Sequence, residues 1–218
     1  QSVIWMISKI LPAFILIFMV IGGIYGGIFT PTEAGAAGVF ITLVIGISRR
    51  MITLKGVWEM IKETGSITAT ILILVFAATL YTRMLGLSGL PTQLGHWVLE
   101  QKLSLLVILM VFLGIVLILG TIIDSISIIL ITVPLFLPML KPIGVDLIWF
   151  GIITVIAVEV GLLTPPFGIS VFVVKSSLTD KSISLRDIFI GSAPFAVTMV
   201  VVVGLVMTFP PLATLLVK

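Results

Sequence analysis

Two polar interruptions inside long apolar runs hold the residues best suited to chemistry. The first is Gly161-Leu162-Leu163-Thr164-Pro165-Pro166-Phe167-Gly168, set in an apolar run from Leu147 to Val174. Adjacent prolines withhold two N–H donors and crowd the preceding turn, so a helix arriving from Ile148 is expected to end near Leu163 and a new one to start beyond Pro166. In hydrocarbon, the carbonyls and N–H groups bared by such a break survive only where protein, an ion or a water-filled cavity satisfies them. Interrupted membrane helices of this kind build ion and solute sites, which makes Gly161, Thr164, Pro165, Pro166 and Gly168 candidate site residues. A plain proline kink in one packed span is the alternative, although a Pro-Pro pair flanked by Thr164 and two glycines disrupts more than a kink needs.

The second interruption is Gly120-Thr121-Ile122-Ile123-Asp124-Ser125, at the centre of the otherwise apolar run from Ser104 to Met139. As one helix that run would be about 54 Å long, well beyond a ~30 Å hydrocarbon core, so it must fold back. A break at Gly120 leaves limbs of roughly 16 residues, about 24 Å each, which favours a re-entrant hairpin with its tip inside the membrane; two complete spans are the other possibility. Asp124 has no Lys or Arg in the surrounding twenty residues. An unpaired central aspartate costs roughly 2.5–3.5 kcal/mol on insertion scales. Its carboxylate either caps the second limb or lies near a transported cation, and the two roles are compatible. Gly120, Thr121, Asp124 and Ser125 join the candidate list.

The elements that must position these segments follow from composition. The chain is 60% hydrophobic and 10% charged, with apolar stretches of about 18 residues recurring along nearly its whole length, which identifies an all-α polytopic membrane protein. The net charge of +3 is scattered in short segments between apolar runs, unlike a nucleic-acid-binding patch. There is no cysteine and one histidine, which excludes disulfides, thiolate metal sites and a multi-histidine site. The start at Gln1, without a basic n-region and small-residue cleavage pattern, fits a fragment of a longer polypeptide.

In chain order, a span is expected from about Ile10 to Phe29 and another from Thr32 to Ile47. Thr30 or Thr32 caps the second helix, and Glu33 in its first turn complements the dipole; the alternative for Glu33 is a proton or cation carboxylate. Gly22, Gly23, Gly26 and Gly27, facing Ala34, Gly35, Ala37 and Gly38, would let the two backbones approach closely. Arg49, Arg50, Lys55 and Lys62, with Trp58 and Ile61 interleaved, read as a separate amphipathic helix at the interface. A third span runs from Ser66 to Leu87, ending near Arg83, and residues 86–102 read as a loop carrying His96. Lys141 to Asp146 makes a polar return. Glu159, near the end of the first half of the broken helix, is either a proton or ion carboxylate or a partner within the bundle. Lys175 to Asp187 reads as a loop, and a last span follows from Pro194 to Leu216. Alternation puts Lys9, Arg49, Arg50, Lys55, Lys62, Lys175, Lys181 and Arg186 on one side, with Arg83, Lys102, Lys141 and Lys218 toward the other, so the first side is assigned to the cytoplasm.

Three of these stretches resemble the large membrane subunit of TRAP transporters: residues 22–34 (Gly22-Gly23 through Glu33-Ala34), Gly120 through Asp124 with Pro134 and Pro138, and Glu159 through Gly168. The likeness covers essentially the whole chain and aligns with the C-terminal half of that subunit. It implies half of an inverted-repeat, elevator-type carrier of the bacterial inner membrane, with about five full spans and the hairpin at about 104–139. It further implies sodium as coupling ion with no other cofactor, organic acids such as C4-dicarboxylates or sialic acids as substrates, a periplasmic substrate-binding protein and a small four-helix membrane subunit. Ala157-Val158 stands where the family often has Asn before the glutamate, and Phe167 replaces a common valine.

Joined to that resemblance, the physics gives a mechanism. The tip at 120–125 and the break at 161–168 meet near the midplane, where carbonyls at half-helix C-termini hold Na⁺ and half-helix N-termini face a substrate carboxylate. Hydroxyls of Thr121, Ser125 and Thr164 supplement the carbonyls, with Thr121, Asp124 and Thr164 the sodium candidates. A carrier of the same superfamily working without a binding protein is the alternative. An enzyme would need a nucleophile, base or metal cluster facing one cavity, and a channel a polar ring or symmetric filter; the sequence offers neither pattern.

Overall fold

A computed structural model describes residues 3–178 and 182–215, with side chains from Ile10 onward; Lys181, Lys218, Leu216 and the Lys9 side chain lie outside that description. Two compact units, residues 1–70 and 71–218, divide the chain.

In the first unit, α1 (Val3–Tyr25) packs on α2 (Pro31–Ser48). The helix α1 ends at Tyr25, earlier than the apolar run, because Gly27 adopts φ +68° and the amides of Ile28 and Phe29 fold back onto the Gly23 carbonyl at 2.9 and 3.1 Å. The Phe29 ring then covers Gly23, where a β-carbon would fall 2.5 Å from Cδ2. Gly23 and Gly27 thus serve the turn. Among the glycines of the expected crossing, Gly38 comes close across the pair, with a β-carbon there meeting Val20 at 3.2 Å, while Gly22 and Gly35 face open space; Ala34 of α2 is fully buried. Thr30 is the cap of α2, its hydroxyl accepting from the Glu33 amide at 3.3 Å while Glu33 accepts from the Thr30 amide at 2.8 Å. This reciprocal capping box satisfies two orphan donors.

The expected break between an amphipathic helix and a third span is absent. One helix, α3 (Leu54–Ser88), runs through both, because no proline falls within it and Gly65, the glycine at the junction, costs only about 1 kcal/mol.

The second unit begins within α3, at Ile71, and continues with α4 (Leu90–Glu100), α5 (Leu105–Gly120), α6 (Ser125–Leu140), α7 (Leu147–Leu163), α8 (Ile169–Ser177), α9 (Leu185–Thr208) and α10 (Pro211–Thr214). Residues 90–100 form a helix where a loop was expected. Pro91 sits in the first turn, where its missing N–H is harmless, and buried Gly95 lets α4 lie against the Pro138 carbonyl of α6. His96 is exposed on that helix. The last long helix starts at Leu185, well before Pro194, because Ser184 and Asp187 form a second capping box with amide contacts of 3.2 and 2.8 Å. Pro194 lies inside it.

The core is centred on α7, which touches α5, α6, α8, α9 and α10. Phe112 of α5 meets Phe150 of α7 at 4.8 Å and Phe136 of α6 at 5.0 Å between ring centroids. The indole N–H of buried Trp149 donates to the Val206 carbonyl at 2.6 Å, fastening α7 to α9. Among the described residues four helices are long and apolar enough to cross a membrane: Pro31–Ser48, Leu54–Ser88, Ser125–Ile143 and Leu185–Thr208. Phe40, Ile73, Phe76, Phe195 and Val197 on these elements are all exposed, as is Phe18 on α1. Faces this apolar belong in lipid, and the protein is a polytopic helical membrane protein.

Candidate functional site

The chain breaks at both places where the sequence interrupts its apolar runs. Between α5 and α6 the break spans Thr121–Asp124. Gly120 ends α5, and the amides of Ile122 and Ile123 tighten onto the Leu119 carbonyl at 2.9 and 2.8 Å. Asp124 then starts α6 as its N-cap. Its Oδ2 accepts from the Ser127 amide at 3.1 Å and its Oδ1 from the Ser127 hydroxyl at 2.6 Å. Asp124 itself is exposed, so the cap reading holds and the carboxylate still opens outward.

Between α7 and α8 the break spans Thr164–Gly168. The Thr164 amide turns back to the Gly161 carbonyl at 3.0 Å. Pro165 and Pro166 are exposed and joined by a cis peptide bond. Gly168 closes the segment at φ +46°, crowded so tightly that a β-carbon would stand 2.8 Å from Phe189 of α9 and 3.2 Å from the Leu162 carbonyl. Only glycine meets both demands. The reading of two half-helices holds, and a plain kink does not describe this geometry: five residues separate Leu163 from Ile169.

The two breaks meet. A β-carbon on Gly120 would lie 2.6 Å from the α-carbon of Gly161, and one on Gly161 2.8 Å from that of Gly120 and 3.3 Å from the Leu117 carbonyl. The ends of α5 and α7 thus touch backbone to backbone, bringing together two C-terminal turns whose carbonyls at Ile118, Leu119, Val160 and Gly161 accept local donors and each keep a second lone pair. The hydroxyls of Thr121 and Thr164 donate inward, to the carbonyls of Ile118 at 2.8 Å and Val160 at 2.6 Å. A hydroxyl that donates inward keeps lone pairs free to accept or coordinate. No group of three His, Cys, Asp or Glu gathers among the described residues. The donors this region offers are the hard oxygens of carbonyls, two threonines and Asp124, suited to an alkali or alkaline-earth cation.

On the other side of the breaks the N-termini of α6 and α8 converge. Asp124 and Ser125 share a cavity of about 370 Å³ with Leu162, Ile169 and Ser170. The start of α8 has no side-chain cap; the Val171 amide donates to the Gly168 carbonyl at 2.8 Å, which leaves the amides of Ile169 and Ser170 to face an acceptor. A neighbouring apolar cavity of about 570 Å³ is lined by Ile122, Phe167, Ile169 and Phe172. Glu159 belongs to neither cavity and is exposed on α7. Ser127, Ser170 and Phe189 were missed in the sequence. The Asp124-x-x-Ser127 spacing carried a capping signal, whereas Ser170 and Phe189 are brought in only by the fold.

Residues 2–212 match the family described as the tripartite ATP-independent periplasmic transporter, DctM component. The chain is 34% identical over 199 residues to the sialic acid TRAP transporter large permease protein SiaM of Vibrio cholerae, covering 91% of this chain and 46% of that protein. It is 35% identical over 175 residues to the C4-dicarboxylate TRAP transporter large permease protein DctM of Pseudomonas aeruginosa, covering 79% and 41%. A third relative is the ectoine/5-hydroxyectoine TRAP transporter large permease protein UehC of Ruegeria pomeroyi, at 32% identity with 91% and 46% covered. The chain spans about half the length of these curated relatives.

Proposed function

Because this chain belongs to the DctM family of tripartite ATP-independent periplasmic transporter components, a family of permeases, we propose that it is the C-terminal half of a large permease subunit that takes up organic acid anions with sodium. The observation that carries this reading is the backbone contact of Gly120 with Gly161. It places the carbonyl ends of two half-helices together, while the amino ends of α6 and α8 line one cavity with Asp124.

In this reading Na⁺ sits at the Gly120–Gly161 junction, held by carbonyls of the α5 and α7 ends and by the lone pairs of Thr121 and Thr164, with Asp124 supplying negative charge nearby. The substrate carboxylate meets the uncapped start of α8, with Ser125 and Ser170 as hydroxyl partners. Each sodium ion moving inward down the membrane potential contributes about 2.3 kcal/mol per 100 mV, enough for a few ions to drive accumulation of an anion. Residues 104–139 enter and leave the bilayer on one side as a re-entrant hairpin, and the unit carrying both breaks moves as an elevator. The protein resides in the bacterial inner membrane with a small membrane subunit, and receives substrate from a periplasmic binding protein. The substrates named for the relatives differ among sialic acid, C4-dicarboxylates and ectoine. Backbone dipoles recognise a carboxylate without distinguishing these acids, so side chains around the cavity set the choice.

The test is uptake by the full-length protein in proteoliposomes, with and without a sodium gradient and with and without the binding protein. Uptake that needs both is the expected result. Sodium-dependent uptake indifferent to the binding protein would favour a carrier working alone, and indifference to both would overturn the reading.

A further inference from the structure

The helix α3 is longer than a bilayer core. Its 35 residues reach about 52 Å at 1.5 Å per residue, against ~30 Å of hydrocarbon. Its apolar stretch begins beyond Gly65, so residues 54–65 lie at or outside the headgroup layer.

This overhang is where the positive charge concentrates. The α2 helix ends in a tight reversal in which Arg50 takes φ +54° and the Met51 amide donates to the Gly46 carbonyl at 2.9 Å. Only residues 49–53 separate α2 from α3, which puts Arg50 beside the start of α3. Along α3, Lys55 and Lys62 fall on one face with Trp58 next to them. The Lys62 ammonium lies 5.6 Å from the Trp58 ring centroid, and the ring is 58% exposed.

Glu59 and Glu63 are the acids of this stretch. Glu59 shares the face of the two lysines, four after Lys55 in the less favourable order and three before Lys62 in the favourable one, yet no ion pair to Arg50, Lys55 or Lys62 forms among the described residues. Arg49 already has a partner and is not needed. Leu54 and Ile61 stand exposed beside the cations. Lys55 and Lys62 stand about 10 Å apart along the axis of α3; their long stems, with Arg50, an amphipathic indole and an apolar flank, can reach toward a phosphate above acyl chains.

We propose that the corner between α2 and α3, through Arg50, Lys55, Lys62 and Trp58, binds the headgroup phosphate of an anionic phospholipid in the adjoining leaflet. The site is independent of the sodium and substrate reading. The test uses the full-length transporter in vesicles of phosphatidylcholine containing spin-labelled phosphatidylglycerol, with spin-labelled phosphatidylcholine as reference. The wild type is expected to restrict the anionic probe in preference to the neutral one. Each of Lys55→Gln and Lys62→Gln should lower that preference by about fivefold, while the Lys55→Arg, Lys62→Arg double variant should retain it.

Removing basic residues also threatens orientation, so protease access to residues 49–53 is measured in every variant. Should the glutamine variants misorient, the wild type under a salt titration decides, since screening should reduce the preference. Unchanged preference in correctly oriented glutamine variants, or indifference to salt, would overturn the proposal. So would equal displacement of the probe by an acidic peptide or by inorganic phosphate, which would mark a protein-docking or free-anion site.

Discussion

The α-carbons of Gly120 and Gly161 face each other so closely that a β-carbon on either would come within 2.8 Å of the other's main chain. No flexible side chain lies between them to give way. The junction joins the end of α5 to the end of α7, and it is the one place where both interrupted runs share a contact of backbone with backbone among the close approaches of the glycines. Whatever the breaks do together depends on that proximity.

Gly161→Ala is therefore expected to destabilise the folded protein by about 1–3 kcal/mol, as overpacking against a rigid neighbour does, and to abolish uptake. Gly114→Ala in α5 is the control. Nothing lies within 4 Å of a β-carbon there, and alanine favours a helix over glycine by up to about 1 kcal/mol. Thermal unfolding in detergent separates them; equal midpoints would show that the junction yields.

Both breaks were legible in the sequence, as were the cap roles of Thr30 and Asp124, because each rests on local chemistry: proline's missing donor, a short side-chain acceptor at a helix start. The contact between the breaks was expected from the idea of a shared midplane site, yet the identity of the touching residues was not, since Gly120 and Gly161 look like ordinary helix-end glycines until α5 and α7 are packed. The continuous α3 is not legible, because a change from charged to apolar composition reads as a change of element. Composition reports the surroundings of a helix and does not by itself end one. Similarly, Pro194 reads as a helix start, whereas the Ser184–Asp187 capping box starts α9 and the exposed Pro194 lies inside it.

Asp124→Asn should fold, because the amide oxygen still accepts from the start of α6, and should shift sodium activation of uptake to higher concentration. Asp124→Ala should in addition lose about 1 kcal/mol of stability with the cap. Ser127→Ala removes the hydroxyl that donates to Oδ1 and leaves the amide bond. A sodium response for Asp124→Asn identical to wild type would reduce Asp124 to a cap.

Trp149→Phe tests the fastening of α7 to α9. Phenylalanine keeps most of the packing and deletes the N–H that donates to the Val206 carbonyl, leaving a buried acceptor unpaired at about 1–3 kcal/mol. The unfolding midpoint should fall while sodium affinity is retained, since Trp149 lies at the opposite end of α7 from Gly161. A loss of sodium affinity larger than the loss of stability would connect this fastening to the ion site.

Gly168 ends the second break under two constraints that can be separated. An alanine there would meet a φ of +46° and the Phe189 ring at 2.8 Å. The first constraint costs about 1–2 kcal/mol whatever the neighbours; the second disappears when the ring is removed, while the Leu162 carbonyl at 3.2 Å remains in both backgrounds. Gly168→Ala alone should therefore be the more damaging in relative terms when measured with Phe189 present, and the same substitution in a Phe189→Ala background should cost less. The difference between the two, read as a double-mutant cycle on thermal stability, isolates the contact. If the break exists to expose the start of α8 to substrate, uptake should stay low in both Gly168→Ala backgrounds, because the residual backbone strain still moves the first-turn amides of Ile169 and Ser170. Recovery of full uptake in the double variant would show that Gly168 serves only to make room for Phe189, and that the position of the α8 amino end is not critical to transport.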